Sequence, residues 1–123
     1  MPTPLQLAFA GSRKEEDIGL VLPVLIECQL YVVGKLIQGE WQFFSKASPQ
    51  PERLCITVSE SKEALASFNV ESNVELKEFS GLDLLKEMPK GQEIVVCYDD
   101  GGDYISHDHI DWYCSTLTEA GLF

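Results

Sequence analysis

Apolar positions follow two rhythms along this chain. From Ile18 to Ile26 they recur at helical spacing, with Ile18, Val21, Leu22, Leu25 and Ile26 on one broad stripe. Leu20 and Val24 fall off that stripe, so this helix is apolar on more than one face and is either sandwiched between layers or offered to a partner. Pro23 cannot donate to the carbonyl of Gly19, which predicts a kink or a restart there. Ahead of it, Ser12-Arg13-Lys14-Glu15 fits a capping box and predicts the helix start, leaving residues 1–11 as a loosely ordered leader.

Strand patterning dominates afterwards. Residues 29–33 and 41–45 predict two strands joined through Gly34 and Gly39. Pro49 and Pro51 precede a third, residues 53–59, in which Leu54, Ile56 and Val58 alternate with polar neighbours. Residues 61–66 predict a short helix, and residues 74–79 a fourth strand with Val74 and Leu76 facing inward. A helix over residues 81–88 ends at Pro89 and Gly91. Residues 94–98 are apolar on both faces, which places that strand at the sheet centre. The last helix starts near Ser106 and carries a core stripe of Ile110, Tyr113, Cys114 and Leu117. The order α-β-β-β-α-β-α-β-α predicts one α+β domain over residues 1–123, a mixed sheet of about five strands covered by helices on at least one face.

Charge narrows the function. A net charge of −11 repels phosphate backbones and anionic lipid, so neither nucleic acid nor membrane is expected as a partner. The densest basic pair, Arg13-Lys14, is followed at once by Glu15, Glu16 and Asp17. A basic protein partner would be steered in. Cys28, Cys55, Cys97 and Cys114 form no Cys-x-x-Cys pair and have apolar neighbours, as buried thiols of a reducing compartment do. Two disulfides with three connectivities remain open. The N-terminus lacks a basic signal-peptide region, and the apolar run from Ile18 to Ile26 is shorter than the ~20 residues that span a bilayer, so a cytoplasmic location is expected.

Catalytic chemistry has little to build on. The acidic stretch Asp99, Asp100, Asp103, His107, Asp108, His109, Asp111 is the best metal candidate, because His107 and Asp111 share a helix face with Asp103 just ahead. Yet His107 and His109 diverge on a helix, and Tyr104 and Ile110 occupy positions where a calcium loop needs Gly and Glu. The same stretch reads as an acidic turn leading into a capped helix, with no metal. No nucleophile elbow or phosphate loop occurs, and a Cys97–histidine pair would need a central-strand thiol, normally inert, to act. No cofactor is expected.

Binding has better material. Trp112 lies off the core stripe beside His109 and Thr116, and Trp41, Phe43 and Phe44 crowd one short strand. Trp112, His109, Trp41, Phe43, Asp99 and Asp100 form the expected interaction surface. Alternatively Trp112 packs on Leu122 and Phe123, and the Trp41 strand lies under the first helix.

The segments Leu25-Ile26-Glu27-Cys28-Gln29-Leu30-Tyr31-Val32-Val33, Arg53-Leu54-Cys55-Ile56-Thr57-Val58-Ser59 and Gly81-Leu82-Asp83-Leu84-Leu85 resemble the N-terminal domain of the SseB family, bacterial proteins named for enhanced serine sensitivity. The resemblance continues through Pro89-Lys90-Gly91-Gln92-Glu93-Ile94-Val95-Val96 and Ser106-His107-Asp108-His109-Ile110, and so covers about Leu20 to Leu117. It rests on patterns of apolar and turn residues. Tyr98-Asp99-Asp100-Gly101-Gly102 stands where relatives often carry an Asn-Pro-Gly-like turn, and the second domain of many relatives has no counterpart in these 123 residues. The resemblance implies an α+β domain with no agreed catalytic residues. The expected function is a non-enzymatic protein-interaction or adaptor domain, binding a protein partner or a second copy. The alternative is a metal-dependent or thiol enzyme using Asp103, His107 and Asp111, or Cys97.

Overall fold

Pro4 at the first helical position has no N–H to leave unpaired, and Thr3 caps the turn by accepting the Gln6 N–H at 3.1 Å. In the computed structural model, which describes residues 3–66 and 74–123, helix α1 therefore runs Pro4–Glu15. Leu5 and Phe9 are buried in the core. The expected loose leader is thus helical from Pro4, and Ser12 is no N-cap: it lies buried in the last turn, its carbonyl accepting from Glu16 and Asp17. Glu16, at φ 55°, ends the helix in the left-handed region.

The apolar run that follows is split. Asp17 caps a 3₁₀ turn at Ile18–Leu20, and helix α2 spans Leu22–Glu27 with Pro23 in its first turn. Pro23 thus marks a restart rather than a kink in one continuous helix. Val21, Leu22 and Leu25 are buried, while Leu20 stands 44% exposed.

Seven strands are present among the described residues: β1 Gln29–Ile37, β2 Glu40–Phe43, β3 Ser45–Ala47, β4 Leu54–Ser59, β5 Glu75–Ser80, β6 Glu93–Tyr98 and β7 Gly101–Ile105. That is two more than the pattern predicted. The sheet order is β2-β1-β4-β6-β7, with β5 on β1 and β3 on β4. Tyr31 and Val32 pair with both β4 and β5, so those strands flank β1 on opposite sides. β4 and β6 run parallel, and the other pairings are antiparallel, so the sheet is mixed.

One sheet face carries Leu30, Val32, Ile56, Val58, Ile94, Val96 and Ile105 into the core with Leu5, Phe9, Leu25, Leu84 and Tyr113. Helices α3 (Gly81–Glu87) and α4 (His107–Glu119) contribute Leu84, Leu85, Ile110, Tyr113 and Leu117. Every residue of β4 from Cys55 to Ser59 is buried, so this strand is central rather than half-buried, and Leu54 is the exposed one. In β5 Phe79 faces the core, leaving Leu76 half-buried on the other face. Within residues 61–66 the expected helix is a 3₁₀ turn, Glu63–Leu65. Among the described residues no helix is long and apolar enough to cross a membrane.

Trp41 and Phe43, expected at an interaction surface, are half-buried and packed within the chain. Their rings lie 6.3 Å apart edge-on, Phe43 stacks on Phe79 at 5.7 Å, and Lys77 Nζ stands 5.0 Å from the Phe79 centroid. Gly34 makes this possible, since a Cβ there would stand 2.2 Å from Trp41 Cζ2. Gly34→Ala is expected to lift the indole and cost about 1–3 kcal/mol. In a Trp112→Phe background, red-shifted Trp41 emission and a lower urea midpoint would show it; unchanged emission would refute the packing argument.

Candidate functional site

Strand β6 carries a polar constellation at each end. At its start, Glu93 pairs across from Cys55 on β4 and its side chain is fully buried. Burial alone would raise its pKa, but hydrogen bonds from Ser48, Tyr104 and His107 hold it at about 2. The Ser48 and Tyr104 hydroxyls donate to Oε1. The His107 backbone N–H donates to Oε2 at 2.8 Å, and His107 Nδ1 lies 2.8 Å from the same oxygen. His107 is the first residue of α4, whose N-cap Ser106 accepts the His109 N–H, so the carboxylate also meets the positive end of that helix. On the other side, His107 Nε2 stands 3.3 Å from Asp108 Oδ1.

This arrangement separates the expected metal residues. Asp103 lies in β7 rather than in a loop before α4; it pairs with Arg13 and accepts the Tyr98 hydroxyl at 2.8 Å. His107 turns to Glu93, and Asp111 lines a groove of about 500 Å³ between α3 and α4. Among the described residues no group of three or more His, Cys, Asp or Glu side chains is placed to hold a metal ion. Cys97 is half-buried, and burial pushes its thiol up against the opposing pull of Lys46, away from an activated nucleophile. All four cysteines are free.

At the far ends of the parallel strands a cavity of about 260 Å³ opens between Ser59, Glu60, Cys97, Tyr98, Asp99 and Asp100. Ser59 Oγ donates to the Cys97 carbonyl at 2.7 Å and accepts the Ser61 N–H at 3.1 Å, fixing both strand ends. Asp99 and Asp100 are exposed, and Asp100 accepts from Gln6 Nε2 at 3.2 Å. Among the described residues Glu60 Oε2 receives only a thiol contact, from Cys28 Sγ at 3.8 Å, and burial followed by the Glu60 charge pushes that thiol up to about 11. Glu60 Oε1 is buried and accepts no hydrogen bond among the described residues.

The third feature is the outer side of α4. Ile110, Tyr113 and Leu117 are buried, and the Tyr113 hydroxyl donates to the Ile18 carbonyl at 2.7 Å. Trp112 is 50% exposed, and His109, three residues earlier, is exposed as well. Its ring lies against the 3₁₀ turn, where a Cβ at Gly19 would stand 3.0 Å from Cη2 and 3.0 Å from Asp17 Oδ1. Phe123 sits elsewhere, its ring 5.6 Å from Lys86 Nζ.

Of the expected site residues, Trp112 with His109 and Asp99 with Asp100 are thus at the surface in two separate places. Glu93 and Glu60 were not singled out by sequence. A lone carboxylate opening a doubly apolar strand was the available signal for Glu93; Glu60, in Ser59-Glu60-Ser61, had none. No protein-family model matches the chain, and no curated protein or solved structure gives a significant match.

Proposed function

We propose that the chain is a non-enzymatic interaction domain of the bacterial SseB N-terminal type, which holds a basic amphipathic segment of a cytoplasmic protein partner against the Trp112 surface. The observation that carries this reading is the half-exposed Trp112 on a helix whose other large apolar residues are sealed in the core. Leu20, 44% exposed, follows Gly19, the residue against which the Trp112 ring lies, and adds apolar surface on that turn. Asp108, one turn before Trp112, Asp111 beside it and the Asp17 carboxylate at Gly19 ring the patch with negative charge. An aromatic face in an acidic rim suits an arginine or lysine flanked by apolar anchors. A second copy would bring another net charge of −11 to the same place, so a basic partner fits better than a homodimer.

Trp112→Ala removes a half-exposed ring and is expected to cost about 1 kcal/mol of stability or less. A designed basic Leu/Lys/Arg peptide, titrated while Trp112 emission is read in a Trp41→Phe background, should bind the wild type, weaken with salt, and outcompete an acidic peptide of the same apolar pattern. By fluorescence anisotropy of the labelled peptide, Trp112→Ala should bind at least about tenfold more weakly. Equal affinity in Trp112→Ala would sink the proposal.

A further inference from the structure

An edge strand exposes peptide groups that a second chain can complete, and proteins blunt such edges with charge. The margin at β5 follows that rule, since Glu75, Lys77 and Glu78 are exposed there. β7, the last strand in the sheet order, is built differently. Gly101 and Gly102 bring no side chain, and the two polar side chains of the strand are drawn inward. Asp103 is held by Arg13 and Tyr98, and Tyr104 by Glu93. Among the described residues the peptide groups of β7 pair only with β6, so alternate N–H and C=O groups face outward unpaired.

A cavity of about 460 Å³ opens beside this edge and touches Gly102, Asp103 and Tyr104. Both sides of the sheet give it apolar walls. Phe9 and Ile18 border it from the core side. Val95, on the face opposite Ile94 and Val96, lines it together with Pro49.

We infer that β7 accepts an extended segment of a partner protein, which joins the sheet as an added strand. The unpaired peptide groups make backbone the main contact of that segment. The walls select its side chains, which alternate across a strand, so those turned to Phe9 and Ile18 are apolar. Charge selects against self-pairing, because a second copy adding its own β7 brings another net charge of −11, whereas an uncharged segment is not repelled. Trp112 does not line the cavity, so the inference stands apart from the basic segment proposed above.

The probe is a labelled heptapeptide, blocked at both ends, with threonine and valine alternating between terminal lysines. Anisotropy at about 150 mM salt, where loose attraction to an acidic protein is screened, should show saturable binding. In a strand the N–H groups of alternate residues point to opposite edges, so methylating the valine nitrogens blocks one edge and methylating the threonine nitrogens the other. One of these two peptides should bind at least about tenfold more weakly, and the other like the parent. Hydrogen exchange locates the contact. Alternate β7 amides should exchange rapidly in the free protein and slow at least about tenfold with the parent peptide bound, while β5 amides stay unchanged. The inference is overturned by no saturable binding, by methylated peptides that behave alike, or by protection that does not reach β7. A dimer in light scattering whose β7 amides are protected without peptide would also overturn it, by making a second copy the occupant.

Discussion

Glu93→Ala is expected to destabilise the protein by about 3–5 kcal/mol, the range found when one member of a buried charged network is removed. The substitution deletes the acceptor for the Ser48 and Tyr104 hydroxyls and for two His107 groups at once. Glu93 itself is buried and Ser48, Tyr104 and His107 are only partly exposed, so water replaces the lost acceptor incompletely. Urea titration at neutral pH should show the lower midpoint. Glu93→Gln keeps the volume but turns an amide N–H₂ toward existing donors, so it should recover only part of the loss.

The same residue sets an acid limit. Its folded pKa, about 2, lies below the ordinary 4.5, so the carboxylate's contribution is fully present above the ordinary value. It is lost as pH falls from about 4.5 through about 2. Melting temperatures of wild type and Glu93→Gln should therefore converge on acidification across that window. A gap that stays constant there would mean that the charge of Glu93 does not hold the cluster.

Glu93 also marks where sequence reading stops. Periodicity reports what faces a core, so α4 with its Ser106 cap is legible from Ile110 to Leu117. β6, expected at the sheet centre, is an interior strand one place from the edge, between β4 and β7, with Val95 and Cys97 only half-buried. Periodicity reports nothing about a polar residue whose partners are distant in the chain. Ser48 lies 45 residues from Glu93, and their meeting depends on the β3–β4 pairing that the pattern did not show. β7 escaped for a related reason. Gly101-Gly102 reads as a turn, yet Gly102 pairs with Cys97, and a Cβ there would stand 2.8 Å from the Val96 carbonyl. Once β7 exists, Asp103 faces Tyr98 and Arg13, and the metal constellation read from spacing comes apart. At the N-terminus two capping signals competed. Thr3-Pro4 won over Ser12 because the helix it starts buries Leu5 and Phe9, a gain of roughly 1.5–3 kcal/mol per side chain.

Gly81→Ala should be nearly as damaging, at about 3 kcal/mol. Gly81 is the first residue of α3, where Ser80 caps the helix by accepting the Asp83 N–H at 3.1 Å. A Cβ at this position would stand 1.7 Å from the Leu25 carbonyl oxygen and 2.6 Å from its carbon. Both are backbone atoms, so no rotamer change relieves the contact and α2 or α3 must move. Neither moves freely, because Gly81 N–H donates to the Cys28 carbonyl at 3.0 Å and Ser80 pairs with Gln29 in the sheet. The joint that would shift carries Cys28, whose thiol reaches Glu60. Gly81→Ala is therefore expected to lower the urea midpoint without changing the acid window set by Glu93. Gly11→Ala supplies the opposite sign. It lies within α1 with nothing within 4 Å of its would-be Cβ, so alanine there should stabilise by about 0.5–1 kcal/mol through helix propensity. If the two alanines changed stability by the same amount, the close approach of α3 to the α2 terminus would not be what fixes this corner of the fold.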